Sequence, residues 1–102
     1  MIQKEAVYQH LKQIIDPELN INIVDLGLIY DVQINQGIGE VTITMTLTSP
    51  GCPLSMVFEE WIPQAVKKID GVKKVRINLV WDPPWNPDKI SDETKEELGI
   101  LR

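Results

Sequence analysis

Cys52, the only cysteine of the chain, lies in the segment SPGCP at residues 49–53, between a strand-like and a helix-like pattern. Proline is favoured at the first position of a helix, so Pro53 makes Cys52 the predicted N-cap residue. Its sulfur would then face free amide hydrogens and the positive end of the helix dipole, both of which lower a cysteine pKa. The same spacing also fits an inert, buried cysteine. From the residues alone, both interpretations stay open.

Acidic residues form the second candidate group. Asp16 and Glu18 flank Pro17, and their carboxylates could add oxygen ligands or tune a nearby thiolate; the alternative is ordinary turn and helix-end chemistry. A cysteine hydrolase would need a histidine base, and His10 is the only histidine. Because His10 falls midway along a predicted helix, we predict no catalytic residue and no enzyme activity. A thiol-dependent hydrolase or transferase is the weakest alternative.

Metal binding is the easier chemistry for this cysteine. Thiolate is a soft ligand that suits iron–sulfur units or zinc, so Cys52 is the predicted metal ligand. An iron–sulfur cluster takes four ligands, and the chain supplies one thiolate. Any cluster would therefore be labile and shared between subunits, with a partner protein or with small thiols. A homodimer is attractive for this reason, because it supplies a second cysteine.

Hydrophobic periodicity predicts the elements that position these residues. We predict helices over residues 4–15, 54–69 and 91–98 and strands over residues 26–34, 41–47 and 75–81. Pro63 is expected to kink the second helix or divide it into two segments. Trp61 falls on the predicted buried stripe of that helix and Trp81 on the buried face of the last strand. Trp85 is the candidate for an exposed contact.

The order of these elements predicts an α+β fold. We expect one domain over residues 1–102, a small two-layer sandwich of order α-β-β-α-β-α with helices packed on a three-stranded mixed sheet. The hairpin makes the first two strands antiparallel, and the helical crossover makes the last two parallel. One end of the sheet then receives residues 16–18, residues 25–27, residues 48–53 and residues 81–85.

Composition restricts partners and location. The 102 residues are 43% hydrophobic and carry a net charge of −5, which disfavours nucleic acid, because a duplex-binding protein needs basic residues. No apolar run approaches the roughly 20 residues that span a bilayer. The first residues lack the order of a signal peptide. We therefore expect a cytoplasmic protein with no membrane partner. The basic residues around Gly71 are expected to be solvated, with a docking contact as the alternative.

Four motifs follow one another in the chain: DPEL at residues 16–19, DLGLIY at 25–30, TSPGCP at 48–53 and WDPPW at 81–85. In this order and at this spacing, the chain resembles the SufT/PaaD-like metal–sulfur cluster biosynthesis family. The resemblance extends from about residue 4 to residue 98. It is closest to the stand-alone bacterial SufT-like members, because PaaD-like proteins carry additional C-terminal cysteines that this sequence does not contain.

The resemblance implies an auxiliary role in iron–sulfur protein maturation in the cytoplasm, with iron–sulfur assembly proteins and client apoproteins as partners. The site that it implies comprises Cys52, Asp16, Glu18, Thr48 and Ser49. We predict that the chain transiently carries or transfers a labile iron–sulfur cluster through Cys52. The alternative is a ligand-free adaptor that docks assembly factors onto client apoproteins.

Overall fold

The computed structural model describes residues 1–17, 19–48 and 54–92. Two helices, five strands and one short 3-10 helix lie in this part of the chain. In chain order they are α1 (Lys4–Leu11), β1 (Ile15–Asp16), β2 (Ile21–Asn22), β3 (Ile29–Asn35), β4 (Glu40–Met45), α2 (Leu54–Val66), β5 (Lys74–Leu79) and the 3-10 helix (Pro87–Lys89). The predicted α+β class is confirmed. None of the described helices is long and apolar enough to cross a membrane.

The three longer strands form the predicted mixed sheet, in the order β3-β4-β5. β3 is antiparallel to β4, and β4 is parallel to β5. Ile43 lies opposite Val32 on one side and Ile77 on the other. α1 packs against β3, α2 packs against β5, and the two helices contact each other. The crossover therefore places the ends of β4 and β5 at the same end of the sheet.

The core lies between the sheet and the helices. Side chains alternate along β4, as is typical of a strand, since Val41, Ile43 and Met45 are buried whereas Thr42 and Thr44 are half-buried. The helices contribute the buried side chains of Val7, Leu11, Phe58, Ile62 and Val66. Fully burying one such side chain stabilises the fold by about 1.5–3 kcal/mol. Packing of these side chains thus fixes the relative positions of the elements around the sheet.

The first helix ends four residues earlier than its periodicity predicts, at Leu11 rather than residue 15. The reason is a competing set of hydrogen bonds. The carbonyl of Ile14 accepts from the Ile23 amide at 3.0 Å, and β1 pairs with β2 as a two-stranded sheet. Residues 15–16 and 21–22 are therefore extended, a short pairing that the hydrophobic pattern does not predict.

The second helix is continuous through Pro63, so the predicted division into two segments does not occur. Proline removes only one backbone donor, and the helix retains Ile62 and Val66 in the core on either side of it. The prediction that Trp61 is buried is wrong, because its side chain is 41% exposed. Ile62 is buried beside it, together with Phe58, Ala65 and Val66, so Trp61 lies at the edge of the buried stripe.

The two C-terminal tryptophans exchange their predicted roles. Trp81 is 42% exposed, because β5 ends at Leu79 and the alternation stops before it. Trp85 is half-buried against the core, and its indole donates to the carbonyl of Leu26 at 2.7 Å. The predicted last helix lies mostly outside the described residues.

Candidate functional site

Backbone hydrogen bonds connect the segments before two of the predicted site residues. The amide of Ile23 donates to Ile14 at 3.0 Å, that of Leu28 donates to Ile23 at 3.1 Å, and that of Thr46 donates to Leu28 at 2.9 Å. Ile14 precedes Asp16 by two residues, and Thr46 precedes Thr48 by two. The acidic turn and the end of β4 are therefore linked through the turn at residues 23–28.

The end of β5 joins the same region, because the Val80 amide donates to the Met45 carbonyl at 2.8 Å. The convergence predicted from topology is thus found for the motifs that the structure describes. We call this region the motif end of the sheet. It comprises Asp16, residues 25–27, Thr48 and residues 81–85.

Asp16 is a buried carboxylate, with 2% of its surface exposed. Its Oδ1 accepts a hydrogen bond from the Leu19 amide at 3.1 Å, and its carbonyl accepts from the Asn20 amide at 2.7 Å. Side-chain oxygens that accept from amides two or three residues ahead stabilise turns. Asp16 therefore holds the turn that follows β1, and its side chain faces the protein interior.

Asn22 is a structural residue beside the motif end, and the sequence analysis does not identify it. Its Oδ1 accepts from the Val24 amide at 3.1 Å and the Asp25 amide at 2.9 Å. Its Nδ2 donates to Asp25 Oδ2 at 2.7 Å. Asparagine side chains that accept from the backbone amide two residues ahead are typical of turns, so the residue type at position 22 could have indicated this role. The reciprocal pair fixes the turn that carries residues 25–27.

The segment after β5 lies across the motif end through three hydrogen bonds. The Trp85 indole donates to Leu26, the Tyr30 hydroxyl donates to the Pro83 carbonyl at 2.7 Å, and the Ser91 amide donates to the Asp25 carbonyl at 2.8 Å. Burial raises the pKa of Tyr30, and the nearby Asp82 carboxylate raises it further. The phenol therefore stays protonated at neutral pH and keeps its donor role.

Two of the five predicted site residues are described by the structure. Asp16 is buried in its turn, and Thr48 is half-buried just beyond β4. Glu18, Ser49 and Cys52, with its predicted N-cap position, lie outside the described residues. Across residues 1–17, 19–48 and 54–92, no group of three His, Cys, Asp or Glu side chains could hold a metal ion. His10 Nδ1 donates to the Ala6 carbonyl at 2.8 Å, which fits a packing role.

Thr46 is fully buried just beyond the end of β4, and the sequence analysis does not single it out. Its Oγ1 is the one buried side-chain oxygen or nitrogen without a hydrogen-bond partner in the described part of the chain. Leaving a buried hydroxyl unpaired costs about 1–3 kcal/mol.

We expect Thr46→Val to raise the free energy of unfolding by about 1 kcal/mol, because valine has nearly the same shape and no unpaired hydroxyl. Urea denaturation measures the change. Thr44→Val is the matched control, since Thr44 lies on the same face of β4 and is only half-buried; its effect should stay within about 0.5 kcal/mol. A destabilised Thr46→Val variant would mean that the hydroxyl has a partner.

Comparison of the sequence with known protein families identifies the family of this chain. The model of the iron–sulfur cluster assembly protein family matches residues 4–79, which include Asp16, Thr48 and Cys52. The chain belongs to the iron–sulfur cluster assembly protein family. The sequence-based resemblance is thus confirmed at the level of the family, and the matched region ends before residues 81–85.

Individual relatives match most of the chain. It is 44% identical over 97 residues to the Fe-S protein maturation auxiliary factor YitW of Bacillus subtilis, covering 95% of this chain and 94% of that protein. It is 40% identical over 87 residues to the Fe-S protein maturation auxiliary factor SufT of Staphylococcus aureus, covering 85% and 98%. A crystal structure of a domain of unknown function from Bacillus anthracis superposes with a TM-score of 0.87 at 36% identity, covering 96% and 92%.

Proposed function

We propose that the chain is an auxiliary factor in iron–sulfur protein maturation that transiently carries or transfers a cluster through Cys52. The observation that carries the proposal is the hydrogen-bonded connection between the turn of Asp16 and the end of β4. Cys52 follows Thr48 by four residues and precedes the first residue of α2 by two. The names of the two bacterial relatives, both Fe-S protein maturation auxiliary factors, support the same role.

The cluster is cargo in this proposal. Because a cluster takes four ligands and the chain has one cysteine, the other ligands would come from a second subunit, a partner protein or small thiols. Transfer is then a ligand exchange, in which an acceptor thiolate binds iron as the Cys52 thiolate leaves it, with no net oxidation or reduction. Assembly proteins would supply the cluster and client apoproteins would receive it, in the reducing environment of the cytoplasm.

We assign different roles to the remaining site residues. Asp16 positions the turn, since its carboxylate is buried and accepts a hydrogen bond from the Leu19 amide. Glu18, two residues further on, is the acidic residue proposed to lie beside the cargo. Thr48 and Ser49 would supply hydroxyl donors to the sulfur atoms of the cargo, because charge-assisted hydrogen bonds stabilise anionic acceptors. No residue is assigned a catalytic role.

Anaerobic reconstitution with ferrous iron, sulfide and glutathione tests the proposal. Wild-type protein should retain iron and acid-labile sulfide after desalting, whereas Cys52→Ala should retain about tenfold less, because the only protein thiolate is gone. Met56→Ala is the matched control, since Met56 lies in the first turn of α2 and is 76% exposed. Native mass spectrometry gives the subunit count of the loaded species.

Equal iron content in the wild type and Cys52→Ala would overturn cluster carriage. The ligand-free adaptor is the alternative, and the exposed apolar side chains of Ile15 and Trp61 favour it because they provide a contact surface. Client enzyme activity in cells separates the two functions. Cys52→Ala abolishes client activity if the chain carries a cluster, and it leaves client activity unchanged if the chain is only an adaptor.

A further inference from the structure

A groove of about 390 Å³ lies between the segment that follows α1 and the outer face of α2. This volume falls within the roughly 300–1,000 Å³ range of ligand pockets. Its lining includes Gln13, Ile15, Trp61, Gln64, Ala65 and Lys68. No residue of the segment 49–53 that contains Cys52 lines the groove, but the lining includes Ile15, the residue before Asp16. An occupant of the groove would therefore lie next to the motif end.

One wall of the groove is a regular helical face. Trp61 and Ala65 lie four residues apart, a spacing that places side chains on one side of a helix, and Lys68 follows in the turn just after α2 ends at Val66. Trp61 is seven residues beyond the start of α2, or about 10 Å along the axis. Trp61 and Ile15 are large apolar side chains that are 41% and 42% exposed. Large apolar side chains that face an open groove are typical of an interaction site.

The polar lining determines which occupant fits. The protein carries a net charge of −5, yet no residue lining the groove is acidic. Lys68 has no ion-pair partner in the described residues, and Gln13 and Gln64 offer amide groups that can bond a peptide backbone. A complementary ligand has an apolar side chain for the surface of Trp61 and a carboxylate for Lys68.

We propose that this groove docks an extended peptide segment of a partner protein, in which an apolar residue is next to acidic residues. The apolar side chain packs against Trp61 and Ile15, and a carboxylate pairs with Lys68. This inference does not depend on cluster carriage. If the chain does transfer a cluster, docking here holds the partner beside the motif end.

The test uses two capped synthetic hexapeptides and full-length, nitrogen-15-labelled protein without iron or sulfide. One peptide is acetyl-Gly-Leu-Phe-Glu-Glu-Gly-amide, and the other has lysine in place of both glutamates. The acidic peptide should shift the Trp61 indole and Ala65 amide resonances in a saturable manner. Lys68→Glu should weaken its binding about fivefold, because one exposed ion pair is replaced by a repulsion.

Lys67→Glu is the matched control, since it makes the same charge change one residue away and outside the groove lining; binding should change less than about twofold. Trp61→Ala, checked for folding by circular dichroism, should weaken binding about tenfold because it removes the apolar anchor. Equal binding of the two peptides, equal effects of the two lysine substitutions, or unchanged resonances would overturn the proposal. Trp61 shifts that depend on protein concentration without peptide would instead assign the groove to a second copy, which also overturns it.

Discussion

Gly27→Ala is expected to destabilise the protein by about 3–4 kcal/mol, from a left-handed backbone and a steric overlap acting together. Gly27 has a φ of +84°, a conformation that costs a residue with a side chain about 1–2 kcal/mol. A Cβ atom there would also overlap the backbone of Lys89, lying 2.8 Å from its carbonyl carbon. The backbone of Lys89 cannot move away freely, because Trp85 and Ser91, which lie before and after it in the chain, are hydrogen-bonded to the turn that contains Gly27.

We expect Gly27→Ala to disturb the contacts of the segment after β5 as well as to lower the stability of the whole protein. Trp85 donates to Leu26, and the Ser91 amide donates to Asp25, so a side chain at residue 27 would push the C-terminal segment away from both. Urea denaturation measures the stability. The indole resonance of Trp85 reports whether its hydrogen bond is lost.

Gly37→Ala provides the control for Gly27→Ala. Gly37 lies in the hairpin turn without a positive φ, and a Cβ atom there would meet only the Asn35 side chain, at 3.4 Å. Its replacement should change the free energy of unfolding by less than about 1 kcal/mol. If the two variants were equally stable, close packing of residues 27 and 89 would not be a determinant of the fold.

Gly27 illustrates how far the sequence predicts this fold. The sheet, its strand directions and the convergence of motifs follow from period-two alternation and from the helical crossover, because both depend on local pattern and chain topology. The need for glycine at residue 27 depends on a chain segment sixty-two residues away, and no local pattern contains that information. The reversed roles of Trp81 and Trp85 have the same origin, since the contact of Trp85 is with Leu26.

The sequence predicts only part of the candidate site, again because local patterns do not reveal contacts between separate segments of the chain. The sequence predicts Asp16 from its residue type and its position beside Pro17, and a carboxylate at a turn has the same sequence pattern whether it faces solvent or the interior. Its burial follows from the pairing of β1 with β2, which two-residue strands do not reveal as periodicity. Trp61 is exposed because the buried stripe of α2 is formed by Phe58, Ile62 and Ala65 and leaves residue 61 at its edge.

Asp16→Ala is expected to destabilise the protein by about 2–3 kcal/mol, because it removes a buried, charged hydrogen-bond acceptor. The Leu19 amide loses its bond to Oδ1, and the turn after β1 loses its internal support. Asp16→Asn should cost less than about 1.5 kcal/mol, since an amide oxygen of the same reach can still accept from Leu19. Chemical denaturation of both variants measures the difference. Asp31→Asn, on the half-buried part of β3, controls for the loss of one negative charge.

Asp16→Asn also distinguishes whether Asp16 positions the turn or binds the cargo directly. If Asp16 only positions the turn, Asp16→Asn should retain iron and sulfide within about twofold of the wild type after anaerobic reconstitution, because the carboxamide preserves the hydrogen bond. If its carboxylate binds iron or tunes the Cys52 thiolate through charge, Asp16→Asn should lose cargo as fully as Cys52→Ala, since a neutral amide supplies neither effect. The burial of Asp16 at 2% exposure and its bond to Leu19 favour the first result. Loss of cargo from a stable, folded Asp16→Asn variant would contradict the positioning role and place the carboxylate in the binding site.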